Sequence, residues 1–167
     1  VIIGANRDEM KDRPWRPPGR HWPDRPDVLA GKDVLAGGTW LGMNDSGLVA
    51  GVLNRRGSLG PKKGYRSRGE LPLEILSHAD AVNAAEALKD INPNAYRPFN
   101  MVFADNRNAY LLKLAETRWG PHAEVSVIPP GISFFTSGDR NDDSSARIRT
   151  YLPQFEKAEV PDPETGN

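Results

Sequence analysis

The apolar runs along this chain are short, and long polar stretches separate them, so the pattern predicts strands and brief helices rather than long helices. Residues 1–5 are apolar and β-branched and predict a buried strand. Pro14, Pro17, Pro18, Pro23 and Pro26 break the next stretch, so residues 13–26 predict a long loop pinned by Trp15 and Trp22. Residues 39–43 predict a strand, Asn44-Asp45-Ser46-Gly47 a turn and residues 48–54 a returning strand, together a β-hairpin. Residues 70–77 and 80–91 predict helices. The second has Asp80 as N-cap and an alanine-rich body, and Pro93 stops it. Residues 99–104, 109–115, 125–128 and 131–137 predict further strands, and residues 144–151 a helix capped by Asp143 or Ser144. Strands clustered in hairpins, with helices grouped between them, argue for an α+β fold rather than a doubly wound sheet.

A length of 167 residues predicts one domain, with a core of useful size. The expected boundaries are a single domain over 1–155, truncated at both ends, and a polar tail over 156–167. Basic and acidic residues balance at 22 each, which removes any bulk electrostatic case for nucleic acid. No apolar run is long enough to span a membrane, and a cytoplasmic location is expected. Cysteine is absent, so these residues supply no disulfide, zinc thiolate or thiol nucleophile. The counts of 16 Gly and 15 Pro announce a large loop fraction.

Candidate chemistry begins at Asn6-Arg7-Asp8-Glu9, four polar residues directly after an apolar run. A strand end is a rigid platform for a site, and a solvated ionic cluster is the plain alternative. Residues 55–68 carry Arg55, Arg56, Lys62, Lys63, Arg66 and Arg68 with no acid among them. Their spacing fits capture of an anionic group, or a flexible solvated loop. Asp139-x-Asn141-x-Asp143 opens like a calcium loop but lacks its later Gly and Glu, so helix capping explains it better. His21, His78 and His122 stand apart without ligand spacing. No metal and no cofactor is expected. The tryptophans, Trp40 among them, read as packing anchors that border an apolar pocket.

The run Ala5-Asn6-Arg7-Asp8-Glu9, then Arg13-Pro14, Leu35-Ala36-Gly37-Gly38-Thr39-Trp40-Leu41-Gly42, Asn54-Arg55 and Ser67-Arg68-Gly69-Glu70-Leu71 resembles the NRDE family, also called transport-and-Golgi-organisation-2 proteins. Phe99-Asn100 through Asp105, and Phe135-Thr136-Ser137, extend the likeness over residues 1 to about 150. More distantly, the chain resembles N-terminal-nucleophile hydrolases of the choloylglycine hydrolase and penicillin acylase type. That likeness implies an antiparallel β-sheet sandwich flanked by helices, layered αββα. It also implies cleavage of a C–N amide bond by a cysteine upstream of residue 1, whose α-amine is the base. Asp8 would hold that amine, with Asn6 and Arg7 beside it, and Asn54 would donate its side-chain amide to the oxyanion. The group's arginine before Asn6 is here Ala5, which leaves that place to Arg7. Arg55, Arg56, Arg68, Trp40 and Ser137 form the expected substrate-binding set, for a small-molecule amide or an anionic apolar ligand. The NRDE likeness equally implies a second possibility, a non-catalytic carrier of haem, lipid or acyl-CoA.

Overall fold

A computed structural model describes residues 1–6 and 9–162. Seven antiparallel strands form one meandering sheet in chain order. They are β1 (Trp15–Gly19), β2 (Val28–Asp33), β3 (Leu41–Asn44), β4 (Val49–Asn54), β5 (Phe99–Ala104), β6 (Ala109–Thr117) and β7 (Gly120–Val127). Three α-helices and one 3-10 turn accompany them among the described residues: α1 (Glu70–Ile75), α2 (Ala81–Ala87), the turn Pro93–Ala95 and α3 (Ala146–Phe155). The α+β class and the antiparallel sheet are as the hydrophobic pattern implies.

Strand alternation sorts the sheet's two faces. Phe99, Met101 and Phe103 of β5 and Leu112 and Leu114 of β6 are fully buried, and they meet Leu71, Ile75, Leu76, Ala81 and Ala84 of the helical layer in one core. α1 packs on β3 and β4, and α2 on β6. The second face is only partly covered, and Leu29 and Met43 stand exposed on it as a cross-strand pair.

Buried carboxamide and carboxylate groups join the layers. Asn44 is almost fully buried. Its amide donates to the carbonyls of Leu76 and His78, and its oxygen accepts from Ser46 and Leu48. The β3–β4 turn is thereby fastened to the end of α1. Asp105 accepts from the backbone amides of Ala81, Arg107 and Asn108, tying the β5–β6 turn to the start of α2. Asp80 caps α2 as its sequence predicts, accepting from the Asn83 amide at 2.8 Å.

Four local expectations are corrected. Residues 1–6 are exposed and irregular, because no neighbouring strand takes up their backbone groups. Part of the proline-rich stretch is a strand: β1 is a sheet edge, and its register shifts between Arg16 and Gly19, where Pro17 and Pro18 owe the ladder no N–H. Residues 131–137 are not a strand: among the described residues no strand pairs with them, and the carbonyls of Phe134, Thr136 and Ser137 accept instead from the Asn141 amide, the Asn100 side chain and the Arg56 amide. Ser145, not Asp143 or Ser144, is the N-cap of α3, and Asp142 is spent on the Ser144 amide. The expectations for Arg7 and Asp8 lie outside the described residues.

Candidate functional site at the end of strand four

β4 ends at Asn54, and three loops converge there. The antiparallel register sets Asn54 opposite Phe99 and Leu53 opposite Asn100. Directly paired residues share a face, so Asn54 belongs to the helix side and Asn100 to the other. Arg55 reaches Asn100 and therefore serves the second face. The expected site residues thus divide into two groups.

On the second face, Arg55 and Asn100 latch the loop over residues 136–139. Asn100 is 1% exposed. Its amide donates to the carbonyls of Thr136 (3.2 Å) and Gly138 (2.7 Å), and its oxygen accepts from Arg55 at 2.8 Å. Arg55 also donates to the Gly138 carbonyl and pairs with Asp139 at 2.8 Å. The Arg56 amide donates to the Ser137 carbonyl at 3.0 Å. Ser137 and Arg56 are therefore neighbours, both with exposed side chains. The guanidinium of Arg55, by contrast, makes three protein contacts, all through Nη1.

On the helix side, Arg68 donates to the Ser58 carbonyl (2.8 Å), the Ser58 hydroxyl (3.0 Å) and the Pro98 carbonyl (3.1 Å). Arg97 donates to the carbonyls of Gly57, Leu59 and Gly60 at 2.8–2.9 Å. Burial pushes the Arg68 guanidinium below its ordinary value and Arg97's like charge adds to the effect, while the carboxylate of Glu9 opposes it. The side-chain amide of Asn54 is half-buried and makes no hydrogen bond among the described residues.

A salt bridge anchors the N-terminal segment. Arg13 and Asp33 pair at 2.6 Å, and Glu9 stands 3.6 Å from Arg13. Burial alone would raise the Asp33 carboxyl, but the Arg13 bond and the amides of Ala36 and Leu35 outweigh it and hold it below the usual range. Trp40 meets Trp15 edge-to-face at 6.0 Å, and its ring covers Gly31, where any side chain would collide with it. Asn6 is exposed in the irregular N-terminal segment.

Sequence reasoning missed Arg13, Asp33, Ser58, Arg97 and Asn100. Asn100 alone carried a signal, as a carboxamide between the core residues Phe99 and Met101. Arg97 carried none, because its partners are loop carbonyls that no side-chain pattern reveals.

The fold and these loops define an α+β domain with a polar site at the end of a central strand pair. The family described as Transport and Golgi organisation 2 matches residues 1–158. The chain belongs to that family. It is 34% identical over 112 residues to the Transport and Golgi organization protein 2 homolog of Bos taurus, and 33% identical over the same length to that of Homo sapiens. Each match covers 63% of this chain and 38% of the relative, so the likeness spans less than half of those proteins. Among solved structures, two variants of conjugated bile acid hydrolase from Clostridium perfringens align with TM-scores of 0.43 and 0.42. Both are 17% identical, over 59% of this chain and 35% of theirs.

Proposed function

We propose that the chain carries part of the site of an N-terminal-nucleophile amidohydrolase, acting on the C–N bond of a small-molecule amide. A cysteine preceding Val1 is the nucleophile in this reading, and its own α-amine accepts the thiol proton. Asp8 holds that amine. The thiolate adds to the amide carbonyl, and Asn54 donates its side-chain N–H to the oxygen that becomes negative. Collapse expels the amine, which leaves with the proton, and water then cleaves the thioester.

The observation that supports this reading is the state of Asn54. Arg55, Ser58, Arg68 and Asn100 around this strand end are all committed to protein groups, whereas the Asn54 amide makes no hydrogen bond among the described residues. A sheltered, uncommitted donor on a rigid strand end is what an oxyanion requires. The test uses the full-length gene product and a panel of small acyl amides. Asn54→Ala lowers kcat by about 10²–10³ while leaving the thermal midpoint unchanged. Absence of a cysteine upstream, or turnover indifferent to replacing that cysteine with alanine, overturns the proposal.

One observation favours a carrier instead. Leu29, Met43 and Trp15 are exposed large apolar side chains, more than half of the last being open. Such a surface suits an apolar ligand, and the relatives' names speak of transport. A Soret shift on titration with haemin, or saturable acyl-CoA affinity, supports this second reading; neither response removes it.

A further inference from the structure

The loop over residues 57–64 is held by its carbonyl oxygens. Arg97 takes those of Gly57, Leu59 and Gly60, and Arg68 takes that of Ser58. In a trans peptide unit the C=O and the following N–H point in opposite directions. Turning the Ser58 and Leu59 carbonyls toward the two guanidinium groups therefore turns the N–H groups of Leu59 and Gly60 away from them. Neither N–H has an acceptor among the described residues. Gly60 adopts φ +78°, the left-handed conformation that one residue of an anion-binding backbone nest takes. Pro61 follows and owes no N–H of its own.

Two lysines follow these amides in the chain. Lys62 and Lys63 are exposed and form no salt bridge among the described residues. Lys62 lies over the Tyr65 ring at 5.3 Å, which fixes its direction without neutralising it. Arg56 is nearby but shares its field with the Asp142 carboxylate. Two free amides and two unneutralised ammonium groups match a dianion better than a single negative charge.

We infer that the loop at Leu59-Gly60-Pro61-Lys62-Lys63 is a binding site for a phosphate group. It does not depend on the amidohydrolase reading, since it requires neither Asn54 nor a nucleophile. It also reassigns the anion-binding role within the basic stretch. Arg68 builds the loop from beneath, Arg55 latches the opposite face, and the two lysines with the backbone amides meet the ligand.

The experiment titrates inorganic phosphate into the ¹⁵N-labelled full-length protein at constant ionic strength, with chloride and acetate as parallel arms. Phosphate is expected to give saturable shifts at the Leu59 and Gly60 amides. The double variant Lys62→Ala/Lys63→Ala should weaken binding by at least about tenfold, the weight of one charge-assisted hydrogen bond. Lys89→Ala changes net charge just beyond the end of α2, where Lys89 pairs with Glu86 and not with the loop, and should leave the affinity within about twofold, as distant surface charges do at physiological salt. Unmoved loop amides, equal responses to chloride or acetate, or equal losses in the Lys89 variant each overturn the assignment.

Discussion

Two arginines in one basic stretch have opposite fates, and partner chemistry decides which. Arg68 is drawn in because the Ser58 carbonyl takes no other donor among the described residues, and the Pro98 carbonyl, already held by the Ser58 hydroxyl, accepts from it as well; Arg56 spends its backbone amide on the Ser137 carbonyl and its side chain stays in solvent. Arg68→Ala leaves the Ser58 carbonyl without a donor and should cost about 1–3 kcal/mol, read from the urea midpoint. Arg56→Ala should change that midpoint by less than about 0.5 kcal/mol. Asp105 allows a pH test. Burial works to raise its carboxyl, yet the amides of Ala81, Arg107 and Asn108 prevail and hold it below the ordinary value. The folded pKa is depressed, so the stabilisation is fully present above the unfolded value of about 3.9 and is lost as pH falls through the lowered folded value. The stability difference between the native protein and Asp105→Asn should therefore be constant near neutrality and shrink below about pH 4. A difference that instead shrinks as pH rises refutes the assignment.

At the scale of elements, close backbone approach explains why two glycine-containing motifs stand so far apart in the chain. A Cβ on Gly38 would lie 2.3 Å from the Gly69 carbonyl oxygen, and the Thr39 amide donates to that same oxygen at 2.8 Å. The loop before β3 and the entry to α1 are in direct backbone contact. Gly38→Ala should thus destabilise by about 1–3 kcal/mol in urea unfolding, as overpacking does, and Gly37→Ala acts instead through its positive φ of 76°. The hairpin of β3 and β4, the β5–β6 pair, both core helices and the Asp80 cap were legible because each has a local signal in alternation, turn chemistry or capping. β1 and the 131–137 loop were not. Whether a proline run becomes an edge strand depends on a neighbour supplied by β2, and whether an apolar run stays irregular depends on the Asn100 side chain and the Arg56 and Asn141 amides taking its carbonyls. The candidate site was legible as a set of residue names but not as an arrangement. Sequence cannot say that Arg55 and Arg68 are consumed by the scaffold while Asn54 is spared.

The molecule as a whole is asymmetric across its sheet. One face is closed by α1 and α2 over fully buried Phe99, Phe103, Leu112 and Leu114. The other is covered where the 136–139 loop is latched and where the Trp40 ring lies over Gly31, and it leaves Leu29 and Met43 open at 39% and 43%. A charge placed on each face tells them apart. Leu112→Glu buries a carboxylate without a partner, a defect that commonly costs more than 4 kcal/mol and here should prevent cooperative folding. Met43→Glu meets solvent on this chain and should move the unfolding midpoint by less than about 0.5 kcal/mol. It should also reduce binding of an apolar dye such as ANS, which reports exposed hydrophobic surface. Circular dichroism melts of both variants, beside dye fluorescence, make the comparison. Should Met43→Glu unfold the chain as Leu112→Glu does, the second face is a buried core face, and a ligand-carrying role for its apolar side chains falls with it.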